Sequence, residues 1–154
     1  MVQMKSALGG IPVAQAMLRT FETLRPDDPL SRAVEMTLAG SQKDFPVLLE
    51  NGAVSGVLTQ ERLLEALSSG GTDARVSTAL HENVLAADSH EMLEAALARL
   101  ESSVCKTVPV VHDNVLVGLL TLDNVGELLR IQAALKGATL KGRRAAAASA
   151  ASSA

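Results

Sequence analysis

The sequence predicts an α+β fold, an α/β sandwich in which two β-α-β-β-α units pack as a pseudo-two-fold pair. Three observations predict it. The octet Gly-Val-Leu-Thr-Gln-Glu-Arg-Leu at residues 56–63 returns as Gly-Leu-Leu-Thr-Leu-Asp-Asn-Val at residues 118–125, 62 positions later. Each copy follows a Pro-Val step inside an apolar run, Pro46-Val47 and then Pro109-Val110. Each Gly-x-x-Thr closes a strand-like run and opens a helix-like one. A repeat of this kind sets the whole architecture. A unit of roughly 60 residues is marginal alone by surface-to-volume scaling, so a core shared by the two copies is expected.

The elements follow in order. Residues 1–10 are a lead-in without pattern. Residues 11–70 form the first repeat. Residues 11–18 suit one helical turn with Val13, Met17 and Leu18 inward, and residues 21–24 alternate like a short strand. Arg25, Pro26, Asp27, Asp28 and Pro29 read as a turn and an Asp-capped helix start. Leu30, Ala33, Val34 and Leu38 then recur at helical spacing until Gly40. Residues 45–49 and 53–58 are strands joined by Asn51-Gly52, a strong hairpin signal. Residues 60–67 are a helix, and the Ser/Gly stretch at 68–71 is a linker. Residues 71–135 repeat the syntax. Residues 76–80 mirror the lead-in turn and residues 84–86 the short strand. Asp88 and Ser89 can cap a helix with Met92, Leu93, Ala96, Leu97 and Leu100 on one face. Strands at 107–111 and 115–120 flank the turn at His112, Asp113 and Asn114, and a helix spans 124–135. Residues 136–154 turn basic and then Ala/Ser-rich; the expectation is disorder, or an Ala-rich extension of the helix.

Composition narrows the function. The chain has 154 residues, 47% of them hydrophobic and 20% charged, as in a soluble globular protein. Phe21 and Phe45 are its only aromatic residues, which removes the stacking platforms of single-stranded nucleic-acid binders. A net charge of −3 argues against any nucleic-acid partner. The single cysteine, Cys105, forms no internal disulfide, so the fold does not depend on an oxidising compartment. No apolar run reaches the eighteen or so residues of a membrane span, and no signal-peptide order opens the chain. A cytoplasmic domain is expected.

The half-repeat resembles the CBS domain (the cystathionine β-synthase-type motif), and residues 11–135 resemble a tandem CBS pair. In the first half the resemblance rests on Asp27, Leu30 and Ala33, on Phe45-Pro46-Val47, and on Gly56, Val57, Leu58 and Thr59. In the second half it rests on Asp88, Met92 and Ala95, on Val108-Pro109-Val110, and on Gly118, Leu119, Leu120 and Thr121. A narrower resemblance, carried by residues 30–35, 39–47 and 119–129, is to the C-terminal CBS pair of bacterial site-two-type intramembrane zinc metalloproteases (M50-like). The zinc motif of those enzymes is absent, because His81-Glu82 has no second His at the required spacing. The resemblance therefore implies a cytoplasmic regulatory portion, possessing no catalytic residue or metal site, whose partner is the catalytic domain of a membrane metalloprotease.

The resemblance also implies a ligand: AMP, ADP, ATP or S-adenosylmethionine in the cleft between the halves, acting as a regulatory ligand rather than a required cofactor. A purine needs an apolar slot beside strand backbone, which the Pro-Val steps Pro46-Val47 and Pro109-Val110 offer because Pro interrupts the ladder. A ribose diol needs a hydroxyl and an acceptor at a helix start, where the family has Thr/Ser-x-x-Asp. Here Arg62 follows Thr59 and Asn124 follows Thr121, so both Asp positions are changed. Arg62 cannot accept a hydrogen bond but suits a phosphate. Glu61 and Asp123, one position earlier, point about 100° away on an ideal helix. The favoured site is Thr121 with Asn124, Val84 and Pro109, and Thr23 is a further first-half contact. Thr59 and Thr121 also read simply as helix N-caps, which leaves a dimerisation scaffold without ligand as the alternative function. His81, His90 and His112 share no metal-ligand spacing and read as solvated residues. Cys105 reads as a buried inert thiol. Lys136, Lys141, Arg143 and Arg144 complement a helix dipole or meet anionic lipid. The apolar faces at Leu63, Leu64 and Leu67, and at Leu128, Leu129 and Ile131, predict a homodimer.

Overall fold

Alternating apolar residues and tight turns build two antiparallel hairpins at the centre of the fold. In the computed structural model residues 9–152 are described, with side chains through residue 138. The first hairpin is β1 (Phe45–Leu48) with β2 (Val54–Leu58); the second is β4 (Thr107–His112) with β5 (Val115–Thr121). Asn51 closes the first turn by accepting from the Ala53 N–H at 3.0 Å. The second turn uses Asp113 and Asn114, both at positive φ, the two-residue geometry that matches strand twist. Both hairpins slip register at the same point of the repeat, between Val47 and Leu48 and between Val110 and Val111. Those bulges come one residue after Pro46 and Pro109, where the ladder lacks a donor.

The parallel neighbour of each hairpin is very short. In the second half it is β3 (Ala87–Asp88), paired with Val110 and Val111. In the first half it is the single bridge from Leu24 to Val47. The sequence places the second of these strands at 84–86, but the pairing falls two to three residues later, where Ala87 is the buried residue.

Helices complete each unit. α1 (Val13–Ala16) is one turn; α2 (Leu30–Ala39) and α3 (Gln60–Gly70) cover the first hairpin; α4 (Leu93–Ser102) and α5 (Leu122–Ser152) cover the second. Some expected faces are narrower than the sequence implies. Leu30 and Ala33 are buried in α2, but Leu38 is 81% exposed. Met92 is the residue before α4 rather than part of its face, and it is 46% exposed. The cap expected from Asp28 is used differently: its carboxylate accepts from the Arg25 N–H at 2.8 Å and holds the turn before Pro29. Of the two expectations for residues 136–154, disorder or an Ala-rich extension of the helix, α5 follows the second as far as Ser152. Ala carries the highest helix propensity, so the Ala-rich run continues a helix already nucleated by packing. Residues 1–8, 153 and 154 lie outside the described residues.

The two halves exchange their lead-ins. Val13 and Ala16 do not pack on the first hairpin; they join a core with Leu93, Leu97, Val110 and Leu120 of the second half. In return Val76, Ala79 and Leu80, around a 3₁₀ turn at Val76–Thr78, join Leu24, Phe45 and Leu58 of the first half. The chain thus has two hydrophobic clusters in place of the single core expected, each completed by the other repeat's lead-in. Backbone pairing secures both exchanges. Leu18 and Leu119 trade hydrogen bonds at 2.7 and 3.0 Å, and Val57 and His81 trade them at 3.0 and 2.9 Å. Gly56 and Gly118 permit this approach. A Cβ at Gly56 would drive into the His81 carbonyl, and one at Gly118 would meet Met17 and the Leu18 carbonyl. The repeated glycine that marks the sequence is therefore where the opposite lead-in crosses the sheet edge.

The apolar helix faces are largely spent inside the chain. Leu63 is buried, and Leu67, Leu128 and Leu129 pack against their own clusters. Leu64 (59% exposed) and Ile131 (56%) remain on the surface. No helix among the described residues is long and apolar enough to cross a membrane.

Candidate functional site

The start of each strand-to-helix crossing faces the same central line. Thr59, just ahead of α3, accepts from the Arg62 N–H at 3.2 Å. Thr121, at the end of β5, accepts from the Asn124 N–H at 3.1 Å. Both threonines are helix caps, as their type and position imply. Each hydroxyl keeps a proton to donate, so the cap leaves a ligand contact open.

Between these two helix starts lies a bond on the pseudo-two-fold line. Asp44 and Thr107 occupy equivalent places, each one residue before its strand's first repeated apolar position. The Thr107 hydroxyl donates to Asp44 Oδ2 at 2.6 Å. Asp44 Oδ1 also accepts from the Gln60 N–H at 3.3 Å, at the N-terminus of α3, where a carboxylate is favoured by the helix dipole. Lys43 and Lys106 stand beside this pair as a second equivalent couple, and both are exposed. Two clefts open on either side.

One cleft, of about 590 Å³, is lined by Leu18, Phe21, Leu119, Thr121, Asp123 and Asn124, with Ser41, Lys43, Asp44, Lys106 and Thr107 toward the centre. It offers apolar side chains, a hydroxyl, a carboxylate and an amide at a helix start, and two ammonium groups. The other side is split into two adjoining spaces. One, of about 670 Å³, is lined by Lys43, Asp44, Thr59, Glu61, Arg62, His81 and Lys106 among others. The second, of about 540 Å³, is lined by Arg62, Leu80, Val84, Leu85, Val104 and Cys105 among others.

The structure brings together Thr121 with Asn124, and Thr59 with Arg62. Val84 lies with Arg62 on the opposite side from Thr121, because the second-half lead-in has crossed to the first half. Pro46, Val47, Pro109 and Val110 are buried in the two hairpins and are not among the cleft-lining residues. The Pro46 carbonyl, for example, is taken by the Leu24 N–H at 3.0 Å. Thr23, just before Leu24, does not line the clefts either. Asp123 and Glu61 do, although an ideal helix turns them away. They sit in the first turn, beside the strand crossing, where the wall of the cleft curves around the helix start. Asp123 thus supplies on the Thr121 side the carboxylate missing at position 124. Lys43 and Lys106 are also additions, and a signal for them existed: they recur at the same 63-residue offset as Pro46 and Pro109.

Cys105 borders the Arg62 side, 4% exposed, with its Sγ 3.3 Å from the Thr107 carbonyl. Burial pushes its thiol pKa up, and the Asp44 carboxylate adds to this. The folded chain then holds its proton more tightly than the unfolded one. This contribution to stability is present below the ordinary thiol value of about 8.5 and is lost as pH rises past it. Iodoacetamide should therefore modify Cys105 slowly in the folded chain at pH 8 and rapidly once urea unfolds it. Equal rates in the two states would mean that the thiol is not shielded.

These features define a class: two interlocked β-α-β-β-α units with paired clefts at the strand-to-helix crossings. A family model for the CBS domain matches residues 11–69 and 76–130. The chain belongs to the CBS-domain family, whose domains are regulatory, non-catalytic modules. No curated protein matches it in sequence. Among solved structures, it is similar to a candidate acetoin utilization protein (AcuB) from Vibrio cholerae, with a TM-score of 0.74 and 22% identity, over 82% of this chain and 96% of that one. It is similar to CBSX2 from Arabidopsis thaliana (TM-score 0.69, 24% identity, 82% and 96% covered). A structure of CBSX2 in complex with AMP has a TM-score of 0.66 at 25% identity over 82% and 98%. The CBS domain pair of protein MJ0100, solved with 5′-methylthioadenosine and S-adenosyl-L-methionine, has a TM-score of 0.66 at 18% identity over 76% and 94%.

Proposed function

We propose that this chain is a regulatory module that binds an adenine nucleotide or related adenosyl ligand in the cleft between its repeats. The observation that carries the reading is the set of groups that lines the Thr121 cleft. Leu18, Phe21 and Leu119 suit a purine face, Thr121, Asp123 and Asn124 suit a ribose diol, and Lys43 and Lys106 suit a phosphate. The AMP complex of CBSX2 and the adenosyl complex of MJ0100 support the same ligand class.

The mechanism is a population shift. The cleft is walled by both repeats, so a ligand there favours one relative arrangement of them. A linked protein feels this only to the extent that the ligand's affinity differs between arrangements. In this reading the chain is cytoplasmic and works as a homodimer, for which Leu64 on α3 and Ile131 on α5 supply exposed apolar contacts. The catalytic domain of a membrane metalloprotease as the regulated partner rests on the sequence resemblance alone.

The test is a thermal-melt series with AMP, ADP, ATP, S-adenosylmethionine and guanosine nucleotides. A ligand at a hundred times its dissociation constant stabilises the fold by about 2.7 kcal/mol. A shift selective for adenosine compounds, lost in Thr121→Ala, is the expected result. A folded chain indifferent to all of them would favour the scaffold function, in which the threonines only cap.

A further inference from the structure

The structure assembles three metal-ligating side chains that sequence spacing separates. Asp88 ends β3, His90 sits in the turn that follows, and His112 ends β4. Their ligand atoms lie within 4.8 Å of one another, and the two imidazole rings are 4.3 Å apart between centroids. The parallel pairing of Asp88 with Val111 is what delivers His112 to this place, 22 positions along the chain from His90. Sequence reading could not see it, because the spacing is set by strand pairing.

We propose that Asp88, His90 and His112 form a binding site for a divalent transition cation of the zinc class. The strongest sign is His112. Its Nδ1 is fully buried among its neighbours and has no hydrogen-bond partner, an arrangement that costs free energy unless something fills it. That nitrogen stands 3.9 Å from Asp88 Oδ1. The other ring nitrogen, Nε2, faces the Asp113 carboxylate at 3.5 Å. A proton on Nε2 leaves the Nδ1 lone pair directed at the cluster, the carboxylate–histidine–metal relation that fixes the tautomer of zinc ligands.

The turn is held in place before any ion arrives. Asp88 Oδ1 accepts from the His90 N–H at 2.9 Å, and Glu91 Oε2 accepts from the Asp88 N–H at 3.1 Å. Glu91 is itself paired with Arg99. The Ser89 N–H donates to the Val111 carbonyl at 3.0 Å. Ligand atoms around a tetrahedral ion with bonds of ~2.0–2.1 Å stand about 3.3 Å apart, so small rotations of the exposed Asp88 and His90 side chains close the set. Two imidazoles and one carboxylate favour zinc, cobalt or nickel over magnesium or calcium, and three protein ligands leave a fourth position for water. The same turn carries the exchanged lead-in, since the Ala14 and Val13 N–H groups donate to the Ser89 and Glu91 carbonyls. A bound ion fastens that landing to β4.

The experiment uses the untagged full chain, stripped with chelator and then dialysed against zinc, with cobalt as a spectroscopic substitute. One zinc per chain and a cobalt d–d spectrum of a low-coordinate site are expected. His90→Ala, His112→Ala and Asp88→Asn should each weaken zinc binding at least tenfold, while His81→Ala leaves it unchanged. His90 and Asp88 are exposed, so metal-free melts of those two variants should match the parent. Absence of stoichiometric zinc in the parent chain would overturn the proposal. So would binding that survives His90→Ala and His112→Ala, or that is lost in His81→Ala. None of these outcomes depends on nucleotide binding.

Discussion

Gly56→Ala is expected to destabilise the chain by about 3 kcal/mol, the upper range for overpacking a site that cannot relax. The added methyl meets the backbone carbonyl of His81, which accepts from the Val57 N–H while the His81 N–H donates to the Val57 carbonyl, so the residue is pinned at both ends. Gly118→Ala is the internal control. There the nearest atoms belong to the flexible Met17 side chain, although the Leu18 carbonyl also lies 2.9 Å away. Its loss should be smaller by about 1 kcal/mol or more, because a side chain can turn aside where a backbone cannot. Urea unfolding of the three proteins, with similar m-values, measures both differences. Equal losses below about 1 kcal/mol would mean that the crossing strand drifts away from β2 at little cost.

Removing residues 1–18 should be more damaging. It strips Ile11, Val13 and Ala16 from the second cluster and leaves the Leu119 backbone without its partner at Leu18. At about 1.5–3 kcal/mol for each large aliphatic side chain, the loss of Ile11 and Val13 alone approaches 5 kcal/mol. That rivals the whole stability of a small domain, ~5–15 kcal/mol. The truncated chain should lose cooperative melting of the second half while retaining the helices of the first. Tryptic digestion would then release β4, β5 and α4 before the first hairpin. A truncated chain with an unchanged melting temperature would show that α1 only decorates the second cluster.

The repeat was readable because its markers are local. Gly56 and Gly118, the Pro-Val steps and the capping threonines each report on a few neighbouring residues, so the two hairpins and the helices after them follow from pattern alone. The exchange of lead-ins was not readable. Val13 and Val76 hold equivalent places in the repeat, and nothing local says which hairpin each one covers; only the crossing over the glycines decides it. The same crossing moved Val84 away from Thr121. At the site, Thr121, Asn124, Thr59 and Arg62 were legible from their helix starts. Asp123 and Glu61 were set aside by an ideal-helix argument that fails in the first turn. Pro46 and Pro109 suit a ligand on chemical grounds, but both are buried in their hairpins and neither lines a cleft.

The exchanged lead-ins also set an order for the chain as it leaves the ribosome. The first cluster lacks its lid until Val76, Ala79 and Leu80 have emerged, so the first repeat cannot close when its own helix α3 is complete. The segment carrying Ile11 and Val13 waits longer still, since its place is built from Leu120 and Val125, more than a hundred residues further on. That apolar segment remains without its partners until residue 125 has emerged, and a chain arrested before residue 120 presents it bare. Domains that fold as units during synthesis avoid such an interval. Here the first cluster can close once Leu80 is out, whereas the second must wait for Val125 although its lead-in was made long before.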